Sequence, residues 1–553
     1  MNGRVHEILT ALLARRGISE ADEESFLHPS LSGLAAPESL PGIPEAVDAI
    51  LSVAAPDRKI VVFGDYDCDG VCSVAILLRA LSAIGASAVP FLPDRLSEGY
   101  GMTDASLARM LSLHSDAAMV VTVDNGINSA EQVGALRERG IKVVVTDHHL
   151  PGETLPDADA LVNPKVAAPP ELSDLCGAGV AFMLANKLVT EARRRCLYSG
   201  PSVGGPLLVM AGLATVTDVM PLLGQNRILV AEALRRFDRF APVGLRELHL
   251  RASRIGADFL SSKDFSHGIG PRMNAAGRIA SADDALALLM TDDRERAREL
   301  ARVVDGRNVE RKNIEQRMLD DAMSKIVPDA PAQVIDLPDG HPGVAGIVAA
   351  RVMERLGETV PVCVVASGRG SARSPEWINV RDALASCGDA IDRFGGHAVA
   401  AGFSVKDGRM DEFRRRFCDI CAACAASGEP SSEPNTDIWL EPSDVTLELA
   451  EALQLMEPFG EGNPEPVFGM KDVLFSDARP VGSDGRHLSL KLRGSGFSAV
   501  FWNMGGKVED FRASSATPCT IRFRLAISTY IDRHVELHIA SVSSRLALAS
   551  AQV

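Results

Sequence analysis

Ile60-Val61-Val62-Phe63-Gly64-Asp65-Tyr66-Asp67-Cys68-Asp69-Gly70 places three carboxylates directly behind a short apolar run. A brief run of β-branched and aromatic residues ending in a turn is expected to be a buried strand of a parallel sheet. The pattern recurs. Met119-Val-Val-Thr-Val123 leads into Asp124 and Asn125, Val143-Val-Val-Thr146 into Asp147, His148 and His149, and Leu213-Ala-Thr-Val-Thr217 into Asp218. Read as four strands of one open α/β sheet, these runs deliver their acids to the crevice beyond the strands' carboxyl ends, where such sheets bind ligands. Carboxylates gathered there repel one another unless a cation sits among them. Oxygen donors with one or two imidazoles suit Mn²⁺ or Mg²⁺, and shared carboxylates can hold two ions ~3.5 to 4 Å apart for in-line phosphoryl displacement. Any one of these Asp could simply cap the helix after a βα turn. Four in succession, one station with three Asp and one with paired His, point to a metal site.

The series Asp-x-Asp-x-Asp-Gly, Asp-Asn-Gly, Asp-His-His and Thr-Asp-Val resembles the DHH phosphoesterase superfamily, and within it the RecJ nuclease family. Small superfamily members usually carry a His four residues before the Asp-x-Asp pair; Phe63 stands there, which is the nuclease branch's own pattern. Further matches are Gly268-Ile-Gly-Pro-Arg272-Met-Asn274-Ala-Ala-Gly-Arg278, His341-Pro-Gly-Val344, Gly395-Gly-His397-Ala-Val-Ala-Ala-Gly402 and Phe459-Gly-Glu-Gly-Asn-Pro-Glu465. The resemblance covers nearly the whole chain. It implies a metal-dependent phosphodiesterase, a 5′-to-3′ exonuclease specific for single-stranded DNA that releases 5′-mononucleotides in DNA repair and recombination, with two divalent ions, Mn²⁺ or Mg²⁺.

On that reading Asp67, Asp69, Asp124, His148 and Asp218 are the expected direct metal ligands, and Asp65 and His149 are ligands or groups that orient them. By resemblance Arg95, Arg272, Asn274, Arg278, Ser371, Arg373 and His397 contact the substrate, with Arg95, Arg272, Ser371 and Arg373 gathered around the 5′-phosphate. Ala372 and Pro375 stand where the family more often has Gly and Ile, and Gly340 replaces a frequent Trp before His341.

Length and composition agree with a multidomain enzyme, since 553 residues exceed one core. Residues 1–45 read as a helical lead-in, its first helix amphipathic on Val5, Ile8, Leu9, Leu12 and Leu13. Residues 46–282 read as the DHH-type parallel-sheet catalytic lobe. From Asp283 to Ile326 comes a charged helical stretch, expected to break near Gly306, which makes 283–328 a connecting helix. Residues 329–428 form a smaller α/β DHH-associated lobe by resemblance, in which Gly395-Gly396 allows close approach to His397.

After Glu429-Pro-Ser-Ser-Glu-Pro434, a linker by composition, 429–553 alternates short strands around a hairpin turn at Asp484-Gly485. A compact C-terminal β-barrel with Arg and Lys outward is consistent with an OB-fold, a frequent single-strand binder. Phe501, Trp502 and Tyr530 are candidates for base stacking, although core packing is the commoner use of each.

No signal peptide is expected, because Arg4, His6, Glu7, Arg15 and Arg16 interrupt the first helix, and no spanning helix, because the longest uncharged stretch, Cys196 to Thr217, reads as a loop plus a buried strand. Ten scattered Cys suggest a reducing, cytoplasmic compartment. Cys418, Cys421 and Cys424 have iron-sulfur-like spacing but lack a fourth Cys followed by Pro. A formal charge of −16 excludes a generally basic coat without speaking for one groove. The expected partners are single-stranded DNA with a free 5′ end, a single-strand-binding protein and a helicase, with the chain a monomer. Two alternatives are a DHH-family phosphodiesterase for short oligonucleotides or cyclic dinucleotides, and a non-catalytic replication factor on the same scaffold.

Overall fold

The computed structural model describes residues 2–252, 260–425, 435–482, 484–513, 516–528 and 532–544. Tyr530 and the 429–434 linker therefore lie outside the described residues. The chain divides into two compact units, Met1–Asp305 with Asn435–Ser550, and Gly306–Pro434.

The first unit is built on five parallel strands, β1 (Lys59–Phe63), β2 (Ala88–Phe91), β3 (Ala117–Thr122), β4 (Lys142–Thr146) and β5 (Ala160–Val162), in the order β2-β1-β3-β4-β5. Phe63 pairs with Thr122 and Thr122 with Val145, so the carboxyl ends of the three central strands are level. The runs before Asp65, Asp124 and Asp147 are strands, as expected. Their side chains are buried on both faces of the sheet, which is why the runs are continuous rather than alternating.

The fourth run is not a strand. Leu213–Thr217 closes a helix, Gly204–Thr217, and Asp218 is its C-terminal cap. Every residue from Leu207 to Val216 is buried, because the helix packs among helices Cys68–Ala83, Gly177–Arg194 and Gly224–Phe240. Uniform burial erases the 3.6-residue period that distinguishes helix from strand. The uncharged stretch from Cys196 is thus a loop plus a helix, and no helix among the described residues is long and apolar enough to cross a membrane.

The break expected near Gly306 is also absent: helix Arg294–Ser324 runs through it, and the interruption falls at 291–293, after helix Asp283–Met290. A Cβ at Gly306 would meet nothing within 4 Å, so the glycine costs only its propensity, about 1 kcal/mol. Leu286, Leu289, Leu300 and Met318 of the expected apolar face are buried, while Val303, Ile314 and Met323 are half-buried.

The second unit carries a mixed sheet, β6 (Gln333–Leu337), β7 (Val362–Ala366), β8 (Arg369–Arg373), β9 (Ile391–Gly396) and β10 (Ala400–Val405), ordered β6-β7-β8-β10-β9. Helix Met410–Ala425 packs on it through Phe413, Phe417 and Cys421. Cys418 and Cys424 border the same apolar core, and no close cluster of metal-donor atoms among the described residues includes a cysteine.

The C-terminal part of the first unit contributes seven strands: β11 (Ile438–Trp439), β12 (Phe468–Val473), β13 (Phe475–Val481), β14 (His487–Leu492), β15 (Ser498–Phe501), β16 (Cys519–Ser528) and β17 (His534–Ser544). The order is β11-β12-β16-β17-β15-β14-β13. Only Leu474 separates β12 from β13, so these are two halves of one bent strand and the sheet closes into a barrel. The N-terminal helix Gly3–Arg15 buries its apolar face against helix Leu447–Gln454 and shares the barrel's core. Arg227 ties this assembly to the helices of the five-stranded sheet: it donates to the carbonyls of Phe26, Met456 and Leu455 at 2.7, 3.0 and 3.2 Å. Burial pushes its pKa down to about 10.

Candidate metal centre

Asp67 is the N-cap of helix Cys68–Ala83: its Oδ1 accepts the Gly70 N–H at 3.0 Å. Capping and site membership coincide here, because the turn that caps the helix also brings Asp65, Asp67 and Asp69 to the end of β1. Gly70 is required by that turn; a Cβ there would lie 2.6 Å from the Asp65 carbonyl oxygen. Asp69 reaches across to a second helix N-terminus and accepts the N–H groups of Gly177 and Ala178 at 2.8 and 2.7 Å. Asp124 follows β3 with φ at 63°, a left-handed conformation that is uncommon without a glycine and is held here by the surrounding fold.

His148 Nε2 stands in the middle, 3.1 Å from Asp124 Oδ1 and 3.7 Å from both Asp69 Oδ2 and Asp218 Oδ2. Donor atoms of three trios lie within 4.8 Å of one another: Asp69, His148 and Asp218; Asp65, Asp67 and Asp124; Asp124, His148 and His149. All seven residues expected at the site are in these trios.

The carboxylates are poorly compensated by protein alone. Burial first, and then the neighbouring acids, push Asp65, Asp124 and Asp218 well above the ordinary carboxylate range and Asp69 up to about 6. The Oδ1 atoms of Asp65 and Asp124 are buried and accept no hydrogen bond. Asp218 lies at a helix C-terminus, where the helix dipole disfavours an anion. Orphaned carboxylate oxygens around one imidazole are a hard-donor set that fits Mn²⁺ or Mg²⁺.

The sign of the pH dependence follows. Each carboxyl with a raised folded pKa stabilises the metal-free protein fully below the ordinary value of 3.8, and that stabilisation is lost as pH rises through the folded value, about 6 for Asp69. A divalent ion recovers it by replacing the proton. The rise in melting temperature on adding Mn²⁺ is therefore expected to be larger near neutral pH than near pH ~5. Equal rises at both would remove these carboxylates from the binding site.

Asp147 has the opposite character. Its Oδ1 accepts from His148 N, His149 N and His149 Nδ1 at 2.7, 3.2 and 2.7 Å, and Oδ2 accepts Ile127 N at 3.0 Å. Burial opposes its charge, but these bonds and the His149 charge outweigh burial and hold its pKa below the ordinary range. A saturated carboxylate orients its neighbours rather than ligating. His149 responds in kind: burial works against its charged form, yet Asp147 and the other acids raise its pKa. The Tyr100 hydroxyl donates to the Asp124 carbonyl at 3.0 Å and lies 2.9 Å from His149 Nδ1. Tyr100, His149 and Asp147 border a cavity of about 340 Å³ continued by Thr103, Asn128 and Gln132.

The residues expected to meet substrate fall in both units. In the first, Arg95 lies over the Tyr66 ring, and both Arg95 and Arg278 pull against the burial and the Asp65 charge that raise the Tyr66 hydroxyl pKa. Arg272 is engaged by Asp305 at 2.8 Å and by the Gly268 carbonyl at 2.7 Å. Asn274 Oδ1 accepts the Cys68 N–H at 2.7 Å, which secures the start of the acidic turn's helix. In the second unit, Ser371 and Arg373 on β8 overhang helix Ala345–Arg355: a Cβ at Gly346 would meet Arg373 Nη2 at 3.0 Å and Ser371 Oγ at 3.4 Å. Side chains that suit phosphate thus converge on a helix N-terminus, a natural anion site. His397 is exposed just after β9, where Gly396 has φ at 133°.

Comparison with known proteins extends the match over most of the chain. The DHH family N-terminal domain matches residues 59–200, the DHHA1 domain 329–423 and the RecJ OB domain 436–541. The single-stranded-DNA-specific exonuclease RecJ of Dickeya dadantii is 37% identical over 508 residues, covering 88% of this chain and 86% of the relative. The chain belongs to the RecJ family. RecJ of Bacillus subtilis is 32% identical over 90% of this chain, which spans 63% of that relative's length. The crystal structure of RecJ from Thermus thermophilus in complex with Mn²⁺ superposes with a TM-score of 0.83 at 32% identity, covering 98% of this chain and 76% of that one.

Three contributors to the site carry roles that the sequence did not disclose. Asp147 was visible inside its motif, and its four hydrogen bonds give it one. Tyr100 gave no signal, since nothing in the sequence ties it to His149. Gly177 gave none either, yet a Cβ there would sit 2.6 Å from Asp124 Oδ1.

Proposed function

We propose that the chain is a 5′-to-3′ exonuclease acting on single-stranded DNA and releasing 5′-mononucleotides with the help of two divalent ions. The observation that carries this reading is the cluster of Asp65, Asp67, Asp69, Asp124, His148 and Asp218, its carboxylates poorly compensated by protein, in a member of the RecJ family. Asp67, Asp69, Asp124, His148 and Asp218 hold the ions, with Asp65 and His149 as ligands or orienters. Bound there, divalent ions supply an activated water and neutralise charge developing on the leaving oxygen.

The protein's own residues do the rest. Asp147 fixes the tautomer and direction of His149 and holds the backbone N–H groups of both histidines. Arg95, Arg272, Arg278, Ser371, Arg373 and His397 hold phosphates, and Asn274 keeps the acidic turn in place. Polarity follows if the end of the strand, and not only its backbone, is gripped. Arg373→Ala should lower the preference for 5′-phosphorylated over 5′-hydroxyl ends about tenfold, the scale of one charge-assisted contact. Equal losses on both ends would contradict that role.

On the barrel, Phe501 is buried while Trp502 is 39% exposed, flanked edge-on by His487 and His538 at 4.8 and 5.4 Å between ring centroids. Arg524 pairs with His538 across β16 and β17, and Glu536 bonds His538. This outward surface stacks bases of the incoming strand. Trp502→Ala should weaken binding of a long oligo(dT) about tenfold and leave cleavage of a dinucleotide unchanged. The division into domains at 45, 282, 328 and 428 goes with this reading, as do a cytoplasmic monomer, a helicase and a single-strand-binding protein that expose and present the strand; free cysteines throughout the described chain suit a reducing compartment.

The deciding assay incubates the protein with 5′- and 3′-end-labelled strands, single and duplex, and Mn²⁺. Mononucleotide release from the 5′ label on single strands alone is expected. Release from the 3′ label, or equal digestion of duplex, would overturn the assignment.

A further inference from the structure

The turn that carries Arg95 is stitched together on all sides. Asp94 Oδ1 accepts Leu96 N, Ser97 N and Ser97 Oγ at 3.1, 2.8 and 2.7 Å. Glu98 Oε2 accepts Asp94 N at 2.7 Å, and Arg109 grips both oxygens of Glu98 at 2.6 and 2.9 Å. Arg95 itself is treated differently. Among the described residues its half-buried guanidinium has no hydrogen bond and no ion pair; what faces it is the Tyr66 ring, 4.9 Å from Cζ to the centroid.

Tyr66 is as firmly set as the turn. It lies between Asp65 and Asp67, and Gly277 comes so close that a Cβ there would be 2.2 Å from the Tyr66 carbonyl oxygen. The distinction between a ring and a carboxylate as partner matters physically. A guanidinium paired with an acid has its in-plane N–H groups occupied and must break that pair to take a phosphate. One held by an aromatic ring keeps those donors open, in the fork that matches two phosphate oxygens.

We propose that Tyr66 is a positioning residue whose ring holds the unpaired Arg95 guanidinium beside the carboxylate cluster, ready to receive the terminal phosphate of the substrate strand. This rests on the reading of Arg95 as a phosphate contact, and the variants below separate the two. It also accounts for an aromatic residue between two acids, a place where burial alone would favour any apolar side chain.

The experiment measures kcat and KM for 5′-phosphorylated and 5′-hydroxyl oligonucleotides with Mn²⁺, for the wild type, Arg95→Ala, Tyr66→Phe and Tyr66→Leu, together with the Mn²⁺-induced rise in melting temperature. Tyr66→Phe keeps the ring and should keep the preference for phosphorylated ends. Tyr66→Leu should lose about five- to tenfold of it, through KM on the phosphorylated strand, with the Mn²⁺ effect on melting unchanged. Loss of preference in Arg95→Ala but not in Tyr66→Leu overturns the role of Tyr66 and leaves that of Arg95. A preference intact in Arg95→Ala overturns both. Equal losses on the two strands in Tyr66→Leu with a smaller Mn²⁺ effect, or lost preference in Tyr66→Phe, also overturn it, since Tyr66 would then act on the acids or through its hydroxyl.

Discussion

Asp124→Ala is expected to abolish Mn²⁺-dependent cleavage, by ~10³-fold or more, while affinity for single strands measured in Ca²⁺ stays within about threefold. Asp124 is the carboxylate shared by two of the trios and lies 3.1 Å from His148 Nε2, so no other carboxylate can take its place. The same substitution carries a second, opposite signature. Burial and the charges of Asp69, Asp67, Asp218 and Asp65 all act against the ionised Asp124 carboxylate, so its loss relieves repulsion in the metal-free protein. Its melting temperature without metal should equal or exceed the wild type's, and the rise on adding Mn²⁺ should vanish. Preserved turnover would remove Asp124 from the site; a variant that simply unfolds would deny that the carboxylates strain the metal-free fold.

Gly177→Ala is expected to be nearly as damaging although the residue has no side chain to contribute. A Cβ at this position would lie 2.6 Å from both Cβ and Oδ1 of Asp124 and 2.8 Å from Cγ, contacts that real structures do not tolerate. The helix that starts here cannot retreat freely, because the N–H groups of Gly177 and Ala178 hold Asp69. One added methyl therefore displaces two of the clustered carboxylates at once. Loss of ~10²-fold or more in kcat/KM should accompany weaker Mn²⁺ binding, with a stability cost of about 1 to 3 kcal/mol for the overpacking. Wild-type activity in Gly177→Ala would show that Asp124 need not stay where the structure has it.

The residues that gather at the site were more legible in the sequence than the elements that carry them. β1, β3 and β4 were legible because strands buried on both faces are written as unbroken β-branched runs, and the acids follow them at once. Asp218 was legible as a participant while its element was not: a helix surrounded by other helices is apolar all round, and a five-residue window before Asp218 cannot tell it from a strand. Length was the usable signal, since Gly204–Thr217 is longer than most strands. The helix break was misplaced at Gly306 because glycine is only a weak helix breaker, whereas Thr291 to Asp293 carries the real stop and restart, with Asp293 Oδ1 accepting the Arg296 N–H at 2.7 Å. The roles of Tyr100, Gly177 and Tyr66 depend on contacts between segments far apart in sequence, and no local pattern encodes those.

Anomalous scattering at the manganese edge, from crystals of this protein grown with Mn²⁺, tests the central claim most directly. The account predicts density peaks among Asp67, Asp69, Asp124, His148 and Asp218. A map with no peak among those side chains, from crystals whose dissolved protein still cleaves single strands, would contradict it.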